Sequence, residues 1–108
     1  MSNFEERQRG EEAKFAHDAQ LRFRAEARRN KHLAHWASAE LGVTEPDAIA
    51  NYVAEVIAAD MTESGHENVV RKIKADFNAG SVATGEAEIR AKISEFEAQA
   101  RQEILAEG

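Results

Sequence analysis

Apolar residues recur at helical spacing along the second half of the chain, and no segment alternates apolar and polar residues as a half-buried strand does. Three stripes follow the three- and four-residue spacing of one helix face. The first stripe comprises Ile49, Tyr52, Val53, Val56, Ile57 and Met61. The second comprises Val69, Val70, Ile73 and Phe77, and the third Ile89, Ile93, Phe96, Ala100 and Ile104. Each stripe predicts a helix that turns one face to a common core.

The first third of the chain predicts a fourth helix of a different kind. Its C-terminal part carries an apolar stripe of Leu33, Trp36, Ala37 and Leu41. Upstream of this stripe, large apolar residues are sparse among charged ones: Phe4, Phe15, Leu21 and Phe23. The sequence therefore predicts an all-α four-helix bundle whose long first helix has a core-facing stripe at one end only. Trp36, Tyr52, Phe77 and Phe96 are expected in the core.

Glycine and proline mark the predicted helix boundaries. Gly42, Gly65 and Gly80 follow apolar segments, where a helix commonly ends in a left-handed residue, so each is predicted to end a helix. Pro46 suits the first turn of the second helix, because the missing N–H of proline has no partner there. Thr44 is the predicted N-cap of that helix, with Asp47 as the acidic residue of a capping box.

The first helix would be too long for the bundle. A helix from Phe4 to Leu41 would be roughly 55 Å long, and the last helix only about 30 Å. About the first 15 residues would then have no helix to pack on, and a short isolated helix is marginal in water. The sequence thus predicts a flexible arm at residues 1–15 and a bundle at residues 16–108.

Composition narrows the classes of function. A chain of 108 residues fits one small domain, and the absence of cysteine excludes disulfides and thiolate zinc sites. The net charge of -6 opposes binding to nucleic acid. The charge is uneven, since residues 1–31 hold 8 Lys/Arg against 6 Asp/Glu while the remainder is strongly acidic. The charged N-terminus and short apolar runs predict a protein that is not inserted in a membrane, with a cytoplasmic location.

The polar residues do not form a recognisable catalytic or metal-binding set. His32 and His35 lie three residues apart, and His17 precedes Asp18, but neither pair has the further ligands that a metal site needs. No activated nucleophile or acid pair is supported by the spacing. The sequence therefore predicts no metal, no required cofactor and no enzymatic activity.

A string of residues resembles a known family. The residues that carry the likeness are Phe15-Ala16-His17-Asp18, Ala25-Glu26-Ala27-Arg28-Arg29-Asn30, Trp36 and Leu41-Gly42. They closely resemble the zeta-subunit inhibitors of alphaproteobacterial F-type ATP synthase. The resemblance implies a four-helix bundle whose N-terminal segment inserts at a catalytic interface of the synthase and blocks ATP hydrolysis. It also implies a peripheral protein, expected to be a monomer when free, whose partner is the catalytic sector of the synthase.

The resemblance assigns the inhibitory contacts to the arm. The expected partner-binding residues are Phe4, Arg7, Gln8, Glu11, Glu12, Lys14 and Phe15. This sequence departs from the family at Gly10-Glu11, where zeta subunits commonly carry Ala-Phe. A missing aromatic anchor weakens binding, and glycine disfavours the helix, so the departure predicts a weaker inhibitor. Alternatively, Glu11 pairs with Arg7 on a solvated helix.

A cationic cluster follows the arm and leaves two rival functions open. It consists of Arg22, Arg24, Arg28, Arg29 and Lys31. Since the family is associated with ADP and ATP, the cluster is a candidate nucleotide site for a nucleotide-sensing module, although no phosphate loop accompanies it. Pairing with acidic residues of the bundle or docking to an acidic subunit is the favoured alternative. The other rival function is a vestigial or assembly subunit that binds the synthase without inhibiting it.

Overall fold

The computed structural model describes residues 18–61 and 65–107, and within them every regular element is an α-helix. The helices are α1 (Ala19–Glu40), α2 (Pro46–Asp60), α3 (Glu67–Ala79) and α4 (Glu86–Glu107). They pack in a closed ring in which α1 contacts α2 and α4, and α3 contacts the same two helices. The prediction of an all-α four-helix bundle is confirmed.

The three predicted stripes form most of the core. The main cluster of buried side chains joins all four helices, and its members are Leu33, Ala34, Ala37, Tyr52, Val56, Val69, Val70, Ile73, Phe77, Ile89 and Ile93. Trp36 is half-buried and meets Phe77 edge-on, with ring centroids 5.6 Å apart. Phe96 packs against the same cluster. Periodicity identified all of these positions except Ala34, because each helix has one core-facing side.

Met61 departs from its predicted place in the core. Its side chain is 81% exposed, whereas Tyr52 and Val56 of the same stripe are buried. The physical reason is that α2 ends at Asp60, so Met61 lies beyond the last turn that packs against the bundle. Ile57, one turn earlier, is half-buried.

The structure corrects the predicted roles of two glycines, Gly65 and Gly80, at helix ends. Gly42 and Gly65 both have positive φ angles, of 76° and 84°, but only Gly42 directly follows a helix, since α2 ends at Asp60, five residues before Gly65. At the end of α3, however, Gly80 has a φ of -90°, and the left-handed residue is Ser81, with a φ of 57°. Gly80 instead allows the side chain of Leu41 to pack against the backbone, since a Cβ atom at residue 80 would lie 2.8 Å from Leu41 Cδ2.

The start of α2 also differs from the prediction. Pro46 occupies the first turn as expected, but the N-cap is Glu45 rather than Thr44. Glu45 is extended and its side chain makes no capping hydrogen bond. The fixed φ of Pro46 already suits a helix, and its missing N–H removes one of the free donors of the first turn.

In the described part of the chain, the helices are all too short or too polar to cross a lipid bilayer.

Candidate functional site

The predicted arm lies outside the residues that the structure describes. This applies to all of its expected partner-binding residues, namely Phe4, Arg7, Gln8, Glu11, Glu12, Lys14 and Phe15. The description of the chain begins at Asp18, directly upstream of α1. The structure therefore bears on the surface that follows the arm, which is the N-terminal half of α1 and the parts of α2 and α4 packed against it.

Asp18 fixes the start of α1. Its backbone is extended, and its Oδ1 atom accepts hydrogen bonds from the backbone N–H groups of Gln20 (3.0 Å) and Leu21 (3.2 Å). This carboxylate satisfies two of the free donors of the first turn and opposes the positive end of the helix dipole. Sequence reasoning had considered Asp18 in the family resemblance and with His17 as a metal pair, but not as a helix cap. An aspartate just before a helical segment was the signal for the cap.

A small second core holds the start of α1 against the end of α4. Ala25 and Ile104 are buried against each other, and Leu21 and Leu105 pack around them. This cluster is separate from the main core of the bundle. It gives the N-terminal half of α1 a packing partner. The sequence had predicted core contacts of this helix only from Leu33 onward.

Charged residues flank this small core and form an ionic clamp, defined here as Arg24, Arg28 and His32 of α1 with Glu103 and Glu107 of α4. Arg28 Nη1 lies 2.7 Å from Glu107 Oε2 and 3.3 Å from Glu103 Oε1. Arg24 Nη2 lies 3.4 Å from Glu107 Oε1, and His32 Nε2 lies 2.8 Å from Glu103 Oε1. The clamp thus links three successive turns of α1 to the last turns of α4.

The clamp shifts the ionisation of both glutamates. The hydrogen bond with His32, helped by those from Gln99 and Arg28, lowers the pKa of the Glu103 carboxyl to about 2. The hydrogen bonds from Arg28 likewise lower the pKa of the Glu107 carboxyl. The side chains of Arg28 and Glu107 are 31% and 43% exposed, and solvent strongly screens the attraction between such exposed charges. The clamp therefore orients the two helices, while the apolar cluster supplies most of the stabilisation.

A second polar network is buried between α1, α2 and α4. Arg29 Nη2 donates to Asp60 Oδ1 at 3.2 Å, and Asn30 Nδ2 donates to Asp60 Oδ2 at 3.0 Å. Arg29 also donates to Asn30 Oδ1, and its Nη1 lies 3.6 Å from Glu97 Oε1. Arg29 is 4% exposed and Asn30 is 1% exposed, so both depend on these partners in place of water.

The cationic cluster predicted from the sequence is thus divided. Arg24, Arg28 and Arg29 pair with carboxylates of α2 and α4, whereas Arg22 and Lys31 are exposed. Sequence reasoning did not name the carboxylates, which are Asp60, Glu97, Glu103 and Glu107. Roles of the cluster in nucleotide binding or in docking to an acidic subunit stay predictions.

The histidines of the described part lie apart from any metal-binding group. Within residues 18–61 and 65–107, no three His, Cys, Asp or Glu side chains are placed to hold a metal ion together. His32 contacts Glu103, and its ring centroid lies 5.8 Å from that of Phe96. His35 is exposed, and His17 lies outside the described residues.

A groove opens between α1 and the end of α2. It has a volume of about 570 Å³, and its apolar lining includes Phe23, Ala27, Ile57 and Met61. Phe23 and Met61 are 68% and 81% exposed and are the exposed large hydrophobic side chains of the described residues. This α1–α2 groove forms because α2 ends at Asp60 while α1 continues past it, which the apolar pattern does not reveal.

Comparison with known proteins identifies the relatives of the chain. The model of the family described as ATPase inhibitor subunit zeta matches residues 1–103. One protein with a solution NMR structure is 40% identical to this chain, and the match covers 82% of this chain and 99% of that one, with a TM-score of 0.70. No curated protein sequence matches.

Proposed function

The chain belongs to the ATPase inhibitor subunit zeta family, and we propose that it inhibits ATP hydrolysis by an F-type ATP synthase by inserting residues 1–15 at a catalytic interface. The four-helix bundle is the anchor of this arm and stays outside the interface. The protein is then a peripheral, non-enzymatic subunit on the cytoplasmic side of the membrane-bound synthase.

One observation carries this proposal. The family match extends over residues 1–103, so it includes the arm, the first three helices and most of α4. The family name describes an inhibitor of an ATPase, and a protein inhibitor needs a contact surface rather than a catalytic group. Residues 1–15 carry the sparse aromatic residues Phe4 and Phe15 among charges, a composition typical of segments that fold on binding.

The geometry of α1 supports a mechanical role for the bundle. Asp18 caps α1 three residues after Phe15, and the ionic clamp and small second core hold this end of α1 on α4. An inserted arm is therefore joined to a rigid body by a short connection. In our proposal, the arm blocks closure of the catalytic interface, while the bundle is too wide to follow it and limits the depth of insertion.

The proposal is tested by titrating ATP hydrolysis by the cognate soluble catalytic sector with the full chain and with a chain lacking residues 1–14. We expect inhibition by the full chain only. Far-UV circular dichroism and the melting curve of the shortened chain check that its bundle is folded. Full-length Glu40→Gln is the matched control, because Glu40 is exposed at the far end of α1 and should leave inhibition unchanged.

The same titration separates the rival functions. Equal inhibition by both chains would place the inhibitory contact on the bundle and contradict the proposed role of the arm. Binding of the full chain without any inhibition would identify a vestigial or assembly subunit.

For the nucleotide-sensing function, ADP would have to compete with Glu103 and Glu107 for Arg28, since both carboxylates already contact it. ADP-induced amide shifts confined to residues 22–31 and lost in Arg28→Ala would support that function.

A further inference from the structure

The α1–α2 groove exposes large apolar side chains for which the fold gives no reason. Phe23 from α1 and Met61 from the end of α2 stand at its edges, 68% and 81% exposed, and Ile57 and Ala27 line it. Large apolar side chains that line a concave surface together are typical of sites for partner chains. The exposure of the Phe23 ring to water is unfavourable, since phenylalanine has no polar group that water could hydrate.

The electrostatic character of the groove is negative. Two of its lining residues are acidic, Glu26 and Asp60, and its described lining contains neither lysine nor arginine. In addition, α2 ends at the groove without a basic residue in its last turn. The carbonyl groups of a helix C-terminus carry about half a negative charge. Although Asp60 is paired with Arg29, exposed Glu26 and the end of α2 favour an occupant that brings positive charge.

Charge argues against an occupant from this protein. Residues 1–15 hold three Lys/Arg against four Asp/Glu, so the arm does not complement a negative groove. A second copy of the chain would bring a net charge of -6, and its Arg24, Arg28 and Arg29 are already paired with carboxylates. The complementary occupant is therefore a segment of another protein that combines apolar side chains with lysine or arginine.

The position of the groove next to the arm indicates which protein supplies this basic, apolar segment. Phe23 follows Phe15 by eight residues, which span about 12 Å in a helix and at most about 29 Å when extended. Insertion of the arm would bring the groove close to the surface around the insertion site. We infer that the α1–α2 groove binds a basic, apolar segment of the catalytic sector at the mouth of this site. This inference rests on the proposed function and adds a contact that the bundle itself makes.

The test measures the affinity of full-length variants for the cognate catalytic sector. Phe23→Ala removes the exposed apolar anchor, and Glu26→Lys reverses the charge of the groove. Both positions are exposed on a helix, so both variants should keep the melting curve of the parent protein. Loss of an aromatic anchor or an opposing charge should raise the dissociation constant about ten-fold or more. Glu40→Lys is the matched control, with the same charge change on the same helix outside the groove, and should bind as the parent does.

The outcomes separate this inference from the proposed function. If the parent chain inhibits hydrolysis while Phe23→Ala and Glu26→Lys bind as tightly as it does, the groove inference is wrong and the inhibitory arm stands. If the parent chain does not bind the catalytic sector, both are wrong. Sedimentation of the parent chain as a dimer that Phe23→Ala dissociates would assign the groove to a second copy and overturn the inference.

Discussion

Arg29 of α1 and Asp60 of α2 form an ion pair across 3.2 Å in which the two side chains are only 5% and 9% exposed. Asn30 donates to the second carboxylate oxygen of Asp60, and Glu97 of α4 lies 3.6 Å from the guanidinium of Arg29. Burial of two charges has a large desolvation cost, which their attraction and hydrogen bonds must offset. The pair therefore determines how α1 and α2 pack together, and loss of either partner would leave an uncompensated buried charge.

Removal of one partner from this pair should strongly destabilise the bundle. Asp60→Ala leaves the buried Arg29 with Glu97 as its remaining carboxylate, and we expect the free energy of unfolding to fall by about 3 kcal/mol. Urea denaturation followed by the fluorescence of Trp36, the single tryptophan, measures this change. The double variant Arg29→Met, Asp60→Leu should be closer to the parent protein than Asp60→Ala is. A single variant as stable as the parent would show that water compensates Arg29.

The buried hydroxyl of Tyr52 should make the stability of the fold depend on pH in alkaline solution. Its hydroxyl donates to Asp76 Oδ2 at 2.7 Å, and burial, followed by this hydrogen bond, raises the pKa of the Tyr52 phenol. The folded protein then holds the phenolic proton more tightly than the unfolded chain, whose pKa is about 10. Stability from this difference is complete below pH of about 10 and is lost as the pH rises beyond that value. Tyr52 is the single tyrosine, so absorbance at 295 nm reports its ionisation directly.

We expect Tyr52 to ionise together with alkaline unfolding, as monitored by circular dichroism, rather than in a separate step near pH 10. Ionisation near pH 10 in the folded protein would contradict the buried, hydrogen-bonded phenol. Tyr52→Phe keeps the ring but removes the hydroxyl, and should lower the free energy of unfolding by about 1 to 2 kcal/mol at neutral pH, because a hydrogen bond to a carboxylate is lost. Its stability should also vary less with pH above about 10 than that of the parent.

The core of this bundle follows from the sequence, because one apolar stripe per helix leaves few ways to pack four helices. Val69, Ile73 and Phe77 are buried as their spacing predicts. The errors occur where a helix ends. Met61 continues the stripe of α2 in sequence but lies past its last turn, and the left-handed residue after α3 is Ser81 rather than Gly80, which packs closely against Leu41.

The candidate site was less predictable, because its contacts join residues far apart in the chain. Arg28 meets Glu107, 79 residues away, and Arg29 meets Asp60, 31 residues away. No local pattern distinguishes buried Arg29 from exposed Arg22 in the same cluster. The α1–α2 groove likewise depends on the relative lengths of two helices rather than on a motif.

The ionic clamp should make stability depend on pH in acid. The interactions with His32, Gln99 and Arg28 lower the pKa of Glu103 to about 2. A carboxyl with a lowered pKa stabilises the fold above the unfolded pKa of about 4.3, and this contribution is lost as the pH falls toward 2. Glu103→Gln should therefore reduce the slope of stability against pH between about 4.3 and 2. Urea denaturation at a series of pH values measures this slope.

The control for the clamp is Glu40→Gln, which removes an exposed carboxylate from the other end of α1. Its slope in the same pH range should match that of the parent protein. If Glu103→Gln and Glu40→Gln behave alike, the contacts with Glu103 do not persist in solution.

Gly42 should be intolerant of a side chain. Its φ of 76° ends α1 in the left-handed region, although nothing lies within 4 Å of a Cβ atom built there. The cost of Gly42→Ala is thus conformational, about 1 kcal/mol, which lowers the melting temperature by about 4 to 8 °C for a domain of this size. Ser81→Gly is the matched opposite change, at a φ of 57°, and should leave the melting temperature equal or higher. A melting temperature unchanged by Gly42→Ala would mean that the α1–α2 connection adopts another conformation.

Residue 11 of the arm decides how strongly the protein inhibits in our proposal. In a helix, Phe4, Gln8, Glu11 and Phe15 would share one face, and the family resemblance implies a phenylalanine at the position of Glu11. A buried aromatic anchor at an interface contributes about 2 to 4 kcal/mol. Glu11→Phe should therefore lower the concentration needed for half-maximal inhibition of ATP hydrolysis about ten-fold or more.

The matched control is Glu12→Phe, because it makes the same change of charge and size one residue later, about 100° around the helix. If the arm binds as a helix with one face in the catalytic interface, Glu12→Phe should improve inhibition little or weaken it. Equal gains from both variants would show that added hydrophobicity or lost negative charge is sufficient, without a defined helix face. No gain from Glu11→Phe would show that Glu11 is not at an anchor position, and the weaker inhibition predicted from Gly10-Glu11 would then have no basis.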